Sequence, residues 1–306
     1  LTEHHRPRHA VANEIGLPEM RKTYVIYHAH CLDGMTSAAI AYQKFGDQAT
    51  YLPGVYEKLP FDELVDSDVY LLDFTLKEQP LRDLLASGNQ VTIIDHHEDA
   101  VKAIAHVPIH ELIFDNEESG ASLTWGYFFP EREPPRMVTY AKDYDLWKFR
   151  HPETNGFIAW LEQFPLDIQV FAQKLQMDDA AYTKSLEIGT PLYQYKMNLV
   201  ASIVDQARPC VIKGHHGWMV NGPYPLASVI GEQLARKYDT YAMIWSERAD
   251  KTVRLSFRAT SGIVPQLIAQ ALGGNGHKKA AGHSLPMVAF QRLIAASDRA
   301  LEQPEP

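Results

Sequence analysis

The feature that most constrains this chain is a set of three short apolar runs, TYVIY (23–27), VYLLD (69–73) and QVTIID (90–95). They are apolar at nearly every position rather than at alternate ones, so each buries both faces. Helical patterns separate them: TSAAIAYQKF (36–45) after the first run and LKEQPLRDLLASG (76–88) after the second. Buried strands alternating with helices predict an α/β protein whose parallel sheet is covered on both sides. Further helices are expected over ASLTWGYFF (121–129) and from Pro135 into Lys142.

Each run also ends on residues that bind metals or protons. The first delivers His28, with Cys31 and Asp33 in the following loop; the second delivers Asp73; the third delivers Asp95, His96 and His97. In open parallel sheets, sites gather beyond the carboxyl ends of the strands, so these side chains should converge. Singly, such a residue is more often a helix cap, a surface charge or a hydrogen-bonded core histidine. Three strand ends sharing the pattern turn the reading toward a metal site. Carboxylates and imidazoles suit Mn²⁺, Mg²⁺, Fe²⁺ or Zn²⁺.

Residues 155–207 are mostly helical in pattern and read as a connector. After Pro209 the texture changes to PCVIKG, a helix over 227–238, and the strand pair YAMIWS and TVRLSFRA joined by a turn at 249–251. This predicts a second, smaller α/β domain. The expected organisation is a leader at 1–19, a catalytic domain with helical connector at 20–195, and a substrate-binding domain at 196–306. The leader lacks an apolar period and carries three histidines, which makes Met20 a candidate start.

Charge limits the partners. The net charge of −9 disfavours a protein that coats long nucleic acid. Residues 210–306 nevertheless carry 11 Lys/Arg against 7 Asp/Glu, while residues 20–209 carry 16 against 28. An acidic part suited to cations thus precedes a mildly basic part suited to an anion, although unevenly spread surface charge would give the same balance. Two cysteines, Cys31 and Cys210, imply no disulfide framework and fit a reducing cytoplasm. No apolar run is long enough to span a membrane, and neither a secretory signal nor a lipid anchor is visible.

With these residues in view, IIDHHE (93–98) resembles the signature of the DHH phosphoesterase family, and GGNGHKKAAG (273–282) resembles the glycine motif of its partner domain, DHHA1. Asp-His-His alone is a weak signal. Joined to the upstream HAHCLDG (28–34) and LLDFT (71–75), and to AKDYDLW (141–147), in the family's order, it becomes a specific one. The resemblance implies two divalent metals, usually Mn²⁺, with Mg²⁺, Fe²⁺ or Zn²⁺ as alternatives. It implies His28, Asp33, Asp73, His96 and Asp143 as ligands, Asp145 being the competitor of Asp143. His97 would then face the substrate phosphate, with Asp95 orienting a neighbouring histidine. Cys31 stands where many members have an aspartate, and the spacing from His28 is one residue shorter than the common pattern. The first site, that of His28 and Asp73, is therefore expected to be weakly held or completed by substrate, with thiolate ligation by Cys31 as the alternative.

In the second domain, Gly273, Gly274 and Gly276 would let the backbone approach a phosphate and point N–H groups at it, with Asn275, His277 and Lys278 beside it. Arg258 would add a planar fork for phosphate or carboxylate; a surface salt bridge is its plainer reading. The implied reaction is hydrolysis of very short 5′-phosphorylated oligonucleotides or linear dinucleotides to nucleoside monophosphates, the phosphate lying between the metals and the glycine loop. A bisphosphate phosphatase, a pyrophosphatase and a non-catalytic nucleotide binder are the alternatives. The expected protein is a cytoplasmic monomer or homodimer, with no membrane and no long nucleic-acid track.

Overall fold

The structure, a computed structural model, describes residues 21–54, 63–276 and 278–302. The chain divides into two compact units, Leu1–Thr190 and Pro191–Pro306.

The first unit alternates strands and helices: β1 (Thr23–His28), α1 (Leu32–Phe45), β2 (Ala49–Gly54), β3 (Asp68–Leu72), α2 (Glu78–Ala86), β4 (Gln90–Asp95), α3 (Glu98–Ile104) and β5 (Glu111–Phe114). Five helices follow: α4 (Gly120–Phe128), α5 (Arg136–Asp145), α6 (Thr154–Leu161), α7 (Ile168–Lys174) and α8 (Asp179–Val204). Helix α8 contains both the division between the units and the boundary expected at 195/196. The sheet has the order β2-β1-β3-β4-β5, and every pairing in it is parallel.

Period-2 alternation explains the continuous apolar runs. Val25 and Tyr27 of β1, with Leu72 and Ile94, join the core under α1, α4, α5, α6 and α7. Tyr24 and Ile26, with Val69, Leu71, Val91 and Ile93, join a second core under α2 and α3. Both faces are dry, and each fully buried large aliphatic side chain contributes about 1.5–3 kcal/mol relative to exposure.

From β1 the chain turns to β2 on one side, and it later builds β3, β4 and β5 on the other. The order of strands reverses between β1 and β3. A crevice opens at such a switch point beyond the carboxyl ends of the strands, which is where β1 ends on His28 and β3 is followed by Asp73.

The second unit contains β6 (Arg208–Ile212), β7 (His215–Asn221), α9 (Ala227–Tyr238), β8 (Tyr241–Glu247), β9 (Thr252–Arg258), α10 (Val264–Ala271), β10 (Asn275–Gly276), β11 (Ala280–Pro286) and α11 (Met287–Glu302). Its sheet order is β10-β11-β9-β8-β7-β6. Among the described strands of this sheet, only β7 and β8 pair in parallel, through the α9 crossover. Ile230 and Leu234 of α9 pack on Ala242 and Ile244, while Phe257 and Ile268 belong to the core on the other side. Among the described residues, no helix is long and apolar enough to cross a membrane.

Candidate metal centre

Four segments bring their ends together at the switch point. The loop after β1 carries Cys31, which caps α1 by accepting from Gly34 N at 3.1 Å, and Asp33 lies in the first turn of that helix. Asp73 follows β3 in a left-handed conformation, φ 52°, that a residue without special cause avoids. His96 and His97 follow β4, and α5 ends on Asp145.

Asp73 lies at the middle of the group, and its two oxygens face different neighbours. Oδ2 is 3.2 Å from His28 Nδ1 and accepts from Cys31 Sγ at 3.2 Å. Oδ1 is 3.2 Å from His96 Nε2. His96 Nε2 is in turn 3.4 Å from Asp145 Oδ2 and 4.0 Å from Asp33 Oδ2. Asp33 and Asp73 are each 2 % exposed. A carboxylate offering one oxygen to each of two donor groups, His28 with Cys31 and His96 with Asp33 and Asp145, has the arrangement of a bridging ligand.

The site is short of positive charge. Burial, then Asp73 and Asp145, push the Asp33 carboxyl well above its usual range. Burial would do the same to Asp73, but its contacts with His28 and His96 prevail and hold it below the usual range. Burial opposes charge on His96, yet Asp73, Asp145 and Asp33 override it and raise the imidazole to about 9. Asp145 is raised by burial and by Asp73, and the Cys31 thiol by burial, Asp73 and Asp33.

Three buried polar atoms here, Asp33 Oδ2, Asp73 Oδ1 and His96 Nε2, have no hydrogen-bond partner. Each buried, unpaired polar atom costs about 1–3 kcal/mol, and folded proteins rarely leave one. Three converging on one spot fit a divalent cation that would accept their lone pairs. The donor set of carboxylates and imidazole suits Mn²⁺, Mg²⁺, Fe²⁺ or Zn²⁺.

Asp95 and His97 stand beside these donors. Asp95 Oδ2 accepts from Thr75 Oγ1 at 2.5 Å, and Oδ1 accepts from His96 N at 2.7 Å and His97 N at 3.1 Å. Oδ1 also lies 2.7 Å from His97 Nδ1. The carboxylate thus holds the turn that aims both imidazoles, as a ligand-orienting carboxylate does. Although burial opposes it, Asp95 raises the pKa of His97.

Asp143, expected as a ligand, does not join this cluster. Its carboxylate accepts from Arg150 N at 2.8 Å, His151 N at 3.1 Å and Thr154 Oγ1 at 2.6 Å, and so fixes the chain after α5. It also lines a cavity of about 700 Å³ with Glu117, Lys142 and Lys148. Asp145 lies instead with Asp33 and His96. Of the nearby aromatics, Tyr140 is core, while Tyr144, Trp147 and Phe149 contact one another.

Sequence reasoning also passed over Gly120. A Cβ there would stand 2.4 Å from Asp73 Cβ and 2.9 Å from Asp33 Oδ2. Only glycine lets the start of α4 come this close, and from there Ala121 N donates to Asp33 Oδ1 at 3.1 Å.

In the second unit the glycine motif folds as a hairpin rather than an open phosphate loop. Gly276 pairs with Ala281, and Asn275 with Gly282. The N–H groups of Gly273 and Gly274 donate to Gln270 O and Ala269 O at the end of α10, so they are not aimed at a phosphate. The close approach that needs glycine is to β11: a Cβ on Gly276, φ 147°, would lie 2.3 Å from Ala281 Cα, and one on Gly274 2.4 Å from Gly282 O. Lys278 is exposed. His277 and the side chain of Asn275 lie outside the described residues.

Arg258 ends β9 with its guanidinium donating to Phe257 O at 2.9 Å and Ser228 Oγ at 3.0 Å. Burial lowers its pKa from the usual value. It lines a cavity of about 440 Å³ with Tyr224, Arg254, Gly276 and His283. The Arg254 guanidinium lies over the Tyr224 ring at 3.8 Å, and sequence reasoning did not single this residue out.

The class that this fold and site define is a doubly wound α/β protein with a carboxylate–imidazole centre at its switch point. No family model matches the sequence. Uncharacterized protein R106 of Acanthamoeba polyphaga mimivirus is 25 % identical over 281 residues, covering 84 % of this chain. The chain spans 66 % of that relative's length. Among solved structures, the DHH domain of a protein assigned to a family of ribosomal proteins superposes with a TM-score of 0.64 at 13 % identity, over 94 % of this chain and 88 % of that one. The exonuclease RecJ bound to manganese gives 0.54 at 16 %, over 92 % and 90 %. The pGpG-specific phosphodiesterase PggH from Vibrio cholerae gives 0.52 at 13 %, over 90 % and 97 %. The chain has the DHH-domain fold.

Proposed function

We propose that the chain is a divalent-metal-dependent phosphodiesterase that hydrolyses very short 5′-phosphorylated oligonucleotides or linear dinucleotides to nucleoside monophosphates. The observation that carries this reading is the convergence of Asp33 Oδ2, Asp73 Oδ1 and His96 Nε2, buried and unpaired, around a carboxylate that faces two donor groups. Two structures with the same fold, a manganese-bound exonuclease and a pGpG-specific phosphodiesterase, support the same chemistry.

Bound divalent ions would lower the pKa of a water and neutralise a phosphoryl oxygen. Asp33, Asp73, His96 and Asp145 would hold one ion, and His28 and Asp73 would take part in holding another. Asp95 fixes the ring of His97, whose raised pKa favours the imidazolium and so suits a phosphate oxygen. In the second unit Arg254 and Arg258 give their cavity the chemistry of an anion site.

Mn²⁺-dependent release of nucleoside monophosphates from 5′-phosphorylated di- and trinucleotides, run beside bisphosphates, pyrophosphate and cyclic dinucleotides, tests the reading. Monophosphate release that chelation abolishes is the expected result. Release of inorganic phosphate from a bisphosphate alone would assign a monoesterase instead. Nucleotide binding without turnover under any divalent ion would make the protein a binder.

A further inference from the structure

We propose that His28, Cys31 and Asp73 form a thiolate-bearing cation site that selects Zn²⁺, Fe²⁺ or Co²⁺ over Mn²⁺ and Mg²⁺, beside an all-oxygen-and-nitrogen site of Asp33, Asp73, His96 and Asp145. The inference rests on the metal-centre reading above and names the ion that each half prefers.

Three donor atoms define the geometry. Cys31 Sγ lies 3.2 Å from Asp73 Oδ2 and 3.4 Å from His28 Nδ1, and His28 Nδ1 lies 3.2 Å from Asp73 Oδ2. The triangle is nearly equilateral. Zinc–ligand lengths of about 2.3 Å to sulfur and 2.0–2.2 Å to nitrogen or oxygen place tetrahedral donors about 3.3–3.6 Å apart. The three atoms thus span close to one face of a coordination tetrahedron, and the fourth position is left for water or substrate. Asp73 is 2 % exposed, with its other oxygen unpaired, so its carboxylate is a charge buried for a cation.

Burial, Asp73 and Asp33 hold the sulfur as a thiol until a cation offsets their charge, and two features favour the thiolate once it does. Gly34 N donates to Sγ at 3.1 Å, and Cys31 caps the 14-residue α1, whose N-terminal dipole favours an anion. On ligation the thiol releases its proton to solvent and the sulfur lone pair binds the ion. Thiolate is a soft ligand that Mn²⁺ and Mg²⁺ take poorly. The other half offers carboxylates and one imidazole, so it has no such bias. A chain with an aspartate in place of Cys31 would make both halves hard; this one makes them unlike.

Cobalt is the probe. The metal-stripped full chain, kept reduced, is titrated with Co²⁺ while the near-ultraviolet sulfur-to-cobalt charge-transfer band and the visible d–d bands are followed. Wild type should show the charge-transfer band, Zn²⁺ should abolish it, and saturating Mn²⁺ should leave it standing. Cys31→Ser should bind Co²⁺ without the band, and at least about tenfold more weakly at that site. Cobalt bound with no charge-transfer band, or a band that survives in Cys31→Ser, would overturn the inference and leave the metal centre intact. No cobalt binding by wild type would remove the metal-centre reading itself. The Zn²⁺-against-Mn²⁺ competition needs no variant, so a misfolded Cys31→Ser does not spare the proposal.

Discussion

An α-helix advances about 100° per residue, so Asp143 and Asp145 point about 200° apart on α5. One faces His96 and the other faces the chain that follows the helix. Asp145→Asn should therefore weaken Mn²⁺ binding at least about tenfold with little change in stability. Asp143→Asn should do the reverse, costing about 2–4 kcal/mol by disturbing charge-assisted hydrogen bonds. Calorimetric Mn²⁺ titration and urea unfolding of the two variants separate the roles; equal metal loss in both would refute the assignment. Asp143 also predicts an acid dependence. Burial alone would raise its pKa, but Thr154 and the Arg150 and His151 N–H groups prevail and lower it. A carboxylate with a depressed folded pKa stabilises fully above its unfolded value, near about 3.9, and loses that contribution as pH falls through the folded one. Below about pH 4 the stability of wild type should fall more steeply than that of Asp143→Asn. Parallel pH profiles in urea would contradict this.

Elements buried on both faces were legible and edge elements were not. β1, β3 and β4 stand out because nearly every inner position is apolar, and α9 with the β8–β9 pair lies where its pattern places it. β2 carries Pro53 at the sheet edge and β5 is mostly exposed, so neither shows the double-sided signal. The site followed the same rule: His28, Asp73 and His96 lie at strand ends, whereas Asp145 depends on the final turn of α5, beyond the Lys142 end expected for that helix. The hairpin of the glycine motif was not legible, because glycine serves hairpin packing as readily as phosphate approach. Gly120 is the element-scale test of the centre. Since a Cβ there would meet Asp73 Cβ at 2.4 Å, Gly120→Ala must push the start of α4 off the carboxylates. Such overpacking costs about 1–3 kcal/mol, and Mn²⁺ affinity should fall with it. An unchanged urea midpoint and an unchanged Mn²⁺ titration would show that α4 does not position the donors.

Across the whole molecule, charge argues for a short substrate. Residues 20–209 carry 16 Lys/Arg against 28 Asp/Glu, and residues 210–306 carry 11 against 7. The candidate metal centre lies in the acidic part and the Arg254–Arg258 cavity in the basic part. A net charge of −9 penalises each phosphate that a longer strand adds, so the charge balance favours the short substrate of the proposed function. Each neutralised phosphate of a single strand contributes about −0.7 to the slope of log affinity against log salt. With one or two such contacts, kcat/KM for a 5′-phosphorylated dinucleotide should follow log salt with a slope of about −1. Arg258→Ala should flatten that slope by about 0.7 and lower kcat/KM by roughly one to two decades. If Arg258 binds the 5′-phosphate, removing that phosphate should have the same effect in wild type and little further effect in Arg258→Ala, because each change then deletes one partner of one contact. Additive losses would place Arg258 on another phosphate. Fast degradation of long strands, indifferent to the 5′ end and with a steep salt slope, would overturn the short-substrate reading.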